Sequence, residues 1–515
     1  MNQTQPPKGR SWRDDIPLTH IPAVETANRH STKVQDFFGI PPSASPRDNS
    51  PTDGSRTEVN DDLPSEPRSS ITYRDITLHN ISSKIKEQYP TIKMHTRRTR
   101  RNLSILIQSC TPIWFTPPTT LALLALALRL LPLAKISFPS LIPLSTALYL
   151  ASFALFIPTS TLLLLRFILY PRETYREAVH ERDSSGLELG YLSAWPTGWI
   201  LLVAFGGFAV SEGKVGTSSA ADGLATAVYV CWWLGAVAVG VVVMFVLGCL
   251  LSSRSRSTHR TGGGRFAPLV GWLVCMQAVG TVAFVGGLLA WLRRPGNDSD
   301  SGEGLFSAAT AAPVVVLSFC ATGAAWFLAN LDYGVLMHEL VLVVGWPPPE
   351  HSATVFSMVG PLGQCASALL VLAAAARRGD GGVSMGGDLV KSRMVAGLAA
   401  MAPLETVCVL LALLMGGIAV VWLLLGIITI FYRLSRGELA WNPSWNGIVS
   451  PVATLAVLSI LLAMELDSAF FRIAACVIII CCILMVVVNL GFTVRLAVTS
   501  RSKQDVSGTG SQPEA

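Results

Sequence analysis

Several stretches of this chain approach or exceed the width of a bilayer core with almost no charge. Residues 119–131, 224–250 and 474–490 are the plainest cases. A segment of about 20 apolar residues spans a hydrocarbon core. Inside that core every backbone N–H and C=O must find its partner within the protein, which leaves only helices and closed barrels. A soluble chain of this size would show amphipathic periods instead, so the chain is expected to be an all-α membrane protein. Composition agrees: 51% of residues are apolar and 14% charged, against about a quarter charged in ordinary soluble domains.

Length and hydropathy give about ten spans, at 112–131, 141–170, 191–211, 224–250, 267–292, 311–343, 354–376, 403–432, 447–464 and 469–496. Residues 1–104 are rich in Pro, Ser, Asp and Arg without helical period, the composition of a disordered cytosolic tail. The ten-helix domain is expected over 105–497, with a short cytosolic tail at 498–515. No apolar core of a signal peptide stands at the N-terminus.

The net charge of +6 matters through its distribution. Arg97, Arg98, Arg100 and Arg101, then Arg172, Arg176 and Arg182, then Arg254, Arg256, Arg260 and Arg265 fall on the side of the N-terminal tail. Lys135, Lys214 and the Arg293-Arg294 pair fall on the other. Basic residues favour the cytosolic face, so both termini are expected inside. One loop disagrees: 377–402 should be outside yet carries Arg377, Arg378, Lys391 and Arg393. Asn297 opens a sequon, Asn297-Asp298-Ser299, on the expected outer side, where glycosylation is open to it. This basic pattern orients a membrane protein and is no nucleic-acid footprint.

Enzyme chemistry finds no support. There is no phosphate-binding loop, no HExxH and no GxSxG, and Gly262-Gly263-Gly264 follows no strand. The ten cysteines lie mostly in apolar runs, without CxxC spacing, so neither disulfides nor a metal is expected; no cofactor is implied. Asp332, His338 and Glu339 could form a proton relay if they lay at membrane depth. The blander expectation is that the long sixth span emerges into the cytosol there and its charges are solvated. Arg129 and Arg166 stand near span ends, where they can snorkel to the interface, and receive no role. Glu405 begins a span and suits a helix N-terminus.

Prolines carry more. The odd-numbered spans hold Pro117 and Pro118, Pro196, Pro268, Pro361 and Pro451. Proline removes a backbone donor and kinks a helix, and irregular backbone at membrane depth is tolerated where it is buried in protein or lines a water-filled path. Five kinked helices around a central conduit, with the even spans outside, is one reading. The other is ordinary: proline is common in membrane helices, and Pro158, Pro313 and Pro403 stand in even spans. Such a conduit would be nearly uncharged, holding anions by helix N-termini, amides and hydroxyls. Gln364, Thr322, Thr454 and Ser450 are candidate donors, each equally suited to bonding between helices.

The motif Gly345-Trp346-Pro347-Pro348-Pro349-Glu350, with Thr354-Val355-Phe356 and Val359-Gly360-Pro361-Leu362-Gly363-Gln364, resembles fungal members of the tellurite-resistance/dicarboxylate transporter family. That family holds malic-acid permeases, sulfite efflux pumps and the slow-type plant anion channels. Pro112-Ile113-Trp114-Phe115, Arg166 to Tyr170-Pro171, Ala267-Pro268-Leu269-Val270, Trp445-Asn446-Gly447 and Asp467-Ser468-Ala469-Phe470-Phe471 fit the same pattern. The resemblance covers about 105–497. It implies ten helices as five hairpins around a central pore, commonly as a homotrimer, with the odd helices inside. Phe356, Gly360, Pro361, Gly363, Gln364, Ser450 and Pro451 then become pore or gate candidates.

Two departures stand out. The first span reads Thr116-Pro117-Pro118-Thr119-Thr120-Leu121 where relatives carry a Met-Gly-Thr-Gly-like stretch. Ser450 stands where the family's Trp-Trp-x-x-x-Phe-Pro pattern places a pore-plugging phenylalanine. The function implied is transport of small acid anions, malate-like C4-dicarboxylates first. Sulfite efflux is the alternative, and a transport-inactive membrane scaffold or sensor is an alternative of another class.

Overall fold

The computed structural model describes residues 103–104, 106–136, 138–174, 185–213, 218–254, 266–292, 305–338, 340, 346–347, 349–377, 403–438, 441 and 443–508. They fall within one unit, Lys84–Ala515. Nearly all of the N-terminal tail, Glu339, the sequon at Asn297 and the 378–402 segment lie outside the described residues.

The apolar runs become helices, and among the described residues there is no strand. The principal ten are α1 (Thr116–Leu130), α2 (Leu141–Leu169), α3 (Ala194–Ser211), α4 (Ser218–Arg254), α5 (Phe266–Trp291), α6 (Ala308–His338), α7 (Val359–Arg377), α8 (Pro403–Ser435), α9 (Asn446–Glu465) and α10 (Ala469–Gly508). With their helical lead-ins they form ten segments long and apolar enough to cross a membrane.

Burial divides them by parity. The odd-numbered spans are 72–100% buried and the even-numbered ones 17–39%. Packing gives the reason: α1 touches α3, α3 touches α5, α5 touches α7, α7 touches α9, and α9 returns to α1. This is a closed ring of five. Each even helix packs on the odd helix before it in the chain and on the next one round, and α10 closes the circuit on α1. The result is five antiparallel helical hairpins, inner member odd and outer member even. The outward faces carry large apolar side chains such as Leu234, Val241, Leu414 and Val487, suited to lipid contact.

The inner spans are interrupted near their beginnings. A 3₁₀ turn, Pro112–Phe115, leads into α1, another, Pro349–Met358, into α7, and a third, Pro443–Trp445, into α9. A short helix, Ser185–Tyr191, and a turn lead into α3. Pro117 and Pro118, Pro196, Pro361 and Pro451 follow these breaks. Pro117 and Pro118, Pro196, Pro268 and Pro361 all stand in the first turn of their helices, where a missing N–H costs nothing. Pro117 and Pro118 thus stand where 3₁₀ turn passes into α-helix, and Pro196 where the short helix and turn pass into α3. Among the inner helices, Pro451 is the proline within a helix body.

Outer helices hold the inner backbone by hydrogen bonds. Ser152 Oγ donates to Pro118 O (2.7 Å), Tyr333 Oη to Met358 O (2.7 Å) and Asn489 Nδ2 to Trp445 O (3.0 Å). The last two acceptors lie at breaks, where side chains of neighbouring helices restore partners to the backbone. Arg166, expected to snorkel, is buried instead and donates to Cys110 O at 2.7 Å, tying the lead-in of the first span to α2. All ten cysteines are free, five of them buried.

Candidate functional site

The breaks place four helix N-termini around one point. A cavity of about 30 Å³, room for two or so waters, is lined by Thr116 and Thr119 of α1, Ala194 and Thr197 of α3, and Gly447, Ser450 and Pro451 of α9. Ser357, just ahead of α7, Tyr191, ahead of α3, and Val274 and Gln277 of α5 complete the lining. All five inner spans contribute, so the cavity lies within the ring.

No charged side chain lines it. The field there comes from the backbone. α1, α3, α7 and α9 all begin beside the cavity. A helix N-terminus carries partial positive charge. In α1 and α3 it acts through the dipole and not through free donors, since Pro117, Pro118 and Pro196 have no N–H and the N–H groups of Thr116, Trp195 and Thr197 bond Ile113 O, Leu192 O and Ser193 O. Four such termini directed to one place favour an anion without binding it tightly.

The lining hydroxyls divide into two kinds. Thr116 donates to Ile113 O (2.8 Å), Thr119 to Phe115 O (2.7 Å) and Thr197 to Ser193 O (2.7 Å). A hydroxyl has one proton to give, so these three have spent theirs on backbone. Ser450 differs: its Oγ accepts from Gln277 Nε2 at 3.1 Å and keeps its own proton. Tyr191 differs as well. Its buried hydroxyl has no hydrogen-bond partner and reaches toward Gly447, where an added Cβ would lie 2.6 Å from it. Ser450 and Tyr191 are therefore donors open to an anion.

The candidates from sequence are placed as follows. Ser450 and Pro451 line the cavity. Gly360 adjoins it through Gln277, whose Oε1 would lie 2.3 Å from a Cβ at position 360. Gly363 lets α7 approach α9, since its Cβ would lie 2.2 Å from Thr454 Oγ1. Pro361 is buried in the first turn of α7. Gln364 is buried between helices, donating to Thr281 Oγ1 at 2.8 Å while its own Oε1 has no partner. Thr322 and Thr454 bond to backbone of their own helices. Phe356 is directed outward to α8, its ring filling the space beside Gly426. His338 is exposed while Asp332 and Tyr333 pack partly or fully inward, so α6 brings no Asp332–His338 pair together.

Tyr191, Thr197, Gln277 and Ser357 were not singled out by sequence, and Thr116 and Thr119 only as part of the departure at 116–121. The signal available was weak: a hydroxyl within a few residues of an inner proline or break, and for Gln277, nine residues past Pro268, not even that. Arg129 was also misplaced. It is 6% exposed and paired with Glu212, not snorkelling to an interface.

Among the described residues no group of three or more His, Cys, Asp or Glu gathers to hold a metal. A family model described as SLAC1, voltage-dependent anion channel, matches residues 109–494. No curated protein matches the chain.

Proposed function

The chain belongs to the SLAC1 voltage-dependent anion channel family, and from that premise we propose that it passes small acid anions along the axis of its five inner helices. It is a membrane anion channel or transporter and not an enzyme. The observation that carries the proposal is the uncharged cavity toward which four helix N-termini converge. Partial charges select for anions, while the absence of a fixed lysine or arginine keeps them from being trapped, as conduction requires.

Malate-like C4-dicarboxylates are the first substrate class, on the resemblance of the Pro347-Pro348-Pro349 stretch to fungal dicarboxylate carriers, while Gly360-Pro361-Leu362-Gly363-Gln364 is closer to the sulfite exporters. Sulfite is the second, and the cavity's size favours it. A C4-dicarboxylate has about nine non-hydrogen atoms against room for two or so waters, so its passage needs the lining to part. Sulfite, with about four, needs less. Tyr191 and Ser450 would give the hydrogen bonds in either case.

The proposed setting is the plasma membrane with both termini cytosolic, residues 1–104 and 498–515 forming cytosolic tails around the helical domain. A homotrimer, with lipid-facing even helices supplying the contacts, completes the reading. Flux in reconstituted liposomes tests it, comparing malate, sulfite, nitrate and chloride with protein-free vesicles. Anion flux above those vesicles is expected, and its rank order assigns the substrate. Folded protein that passes none of the four would leave the membrane scaffold or sensor as the better account.

A further inference from the structure

Arg129 is the buried charged side chain on the inner ring among the described residues. It stands in the last turn of α1, at the end of the ring away from the cavity. Its Nη2 pairs with Glu212 of α3, and its Nε and Nη1 are buried without any partner. A guanidinium offers five N–H donors in a planar fork shaped for two oxygens of one anion. Leaving two of its nitrogens empty in a buried place costs free energy.

Glu212 caps the C-terminus of α3, eighteen residues after Ala194, which is five full turns at ~3.6 residues each. It therefore stands over the face of α3 that presents Ala194 to the cavity. It is also the wetter partner, its side chain 29% exposed against 5% for Arg129. The carboxylate is thus the partner nearer water, on the same side of α3 as the cavity.

The far end needs such a cation. Inner helices that begin at the cavity end here, and their C-termini carry partial negative charge that repels an anion. A helix-dipole partner alone would explain a cation in the last turn of α1. It leaves the two unpartnered nitrogens unexplained.

We infer that Arg129 is a second anion site, at the end of the ring opposite the cavity, and that the Glu212 carboxylate is a tethered competitor covering it when no transported anion is present. The ligand class is a small oxyanion able to take two N–H donors, a carboxylate, sulfite or nitrate. The inference rests on the proposed anion passage and adds where the anion next stops.

Nitrate and malate are the probes, and two variants decide. Glu212→Gln uncovers the guanidinium, so the melting temperature of purified protein should rise with added nitrate or malate more steeply than in the wild type. The neutral pair Arg129→Gln with Glu212→Gln keeps size and removes both charges. It should lose that anion-dependent rise, and its half-saturating anion concentration for liposome flux should increase about tenfold, the loss of one charge-assisted contact. Wild-type flux with a half-saturation unchanged in the neutral pair, or equal anion stabilisation in all three proteins, would overturn the inference while leaving anion transport standing. Absence of flux from the wild type would instead overturn the transport reading, and the melting comparison would still decide whether Arg129 binds anions.

Discussion

Gly360→Ala perturbs the cavity without substituting any residue that lines it. Gly360 is the second residue of α7, and a Cβ there would lie 2.3 Å from Gln277 Oε1, 2.6 Å from its Cδ and 3.2 Å from its Cγ. Ordinary contact is near ~3.5 Å, so the amide must retreat by about 1 Å. The colliding atoms are the end of a flexible side chain, which can swing. Swinging breaks the 3.1 Å bond from Gln277 Nε2 to Ser450 Oγ, at a cost of about 1 kcal/mol. Alanine is favoured over glycine inside a helix by about 0.8–1 kcal/mol, less at its first turn. The two terms nearly cancel, so stability should change by about 1 kcal/mol or less. Function should not escape so easily. The displaced amide moves within a cavity of only about 30 Å³ and frees Ser450 from its partner. Nitrate flux in liposomes should fall by roughly tenfold, an added barrier of about 1.4 kcal/mol. Gln277→Ala removes the obstructing side chain, so adding Gly360→Ala to it should have little further effect, a coupling that a double-mutant cycle isolates. An equal drop in flux with and without Gln277 would refute the reasoning, as would a loss of several kcal/mol in the single variant.

Three further outcomes are expected. Ser450→Phe should close the cavity and reduce flux by about tenfold or more; unchanged conductance in an active protein would show that position 450 does not face the path. Gly190→Ala should be the most damaging small change, because its Cβ would lie 2.3–2.6 Å from the backbone of Gly271, which cannot swing aside. A loss of about 3 kcal/mol or more is expected, read as a fall in melting temperature, with ordinary stability counting against so close an approach. Between the hairpins, Lys135 hydrogen-bonds Asp467 at 2.9 Å, and Arg472 pairs with the same carboxylate. The Lys135 bond and charge, then the Arg472 charge, hold that carboxyl below its ordinary range. A carboxyl lowered by folding stabilises above its unfolded pKa and loses that contribution as pH falls through the folded value. Melting temperature should therefore drop slightly more on acidification below about pH 4 in the wild type than in Lys135→Ala. Identical acid profiles would remove Asp467 from the account.

The ten spans were legible because a bilayer imposes length and apolarity on each helix separately. For α2 the expected 141–170 lies within a residue of the observed Leu141–Leu169. The inner spans were read less well, since 3₁₀ turns and a short helix precede their main helices; the span expected at 354–376 begins at His351. Prolines stand at or just after those breaks. Parity of burial was harder to see. Lipid is as apolar as a helix interface, so hydropathy alone says little about which face meets which. In four of the five hairpins the outer helix is the more apolar, and in the third it is not.

Sequence by itself therefore determined that this is an all-helical membrane protein of about ten spans, without enzyme machinery, because those properties follow from local composition. Only the tertiary structure decided which side chains meet. Tyr191, Gln277 and Ser450 come from three spans and converge only because the inner helices close into a ring. Arg129 and Glu212, 83 residues apart, pair only because α1 and α3 end side by side. Ser450 and Thr454 are both small hydroxyl residues four positions apart on α9, and their own sequence cannot separate them. One opens onto the cavity and the other onto α7 because each side chain's surroundings are set by the four other inner helices.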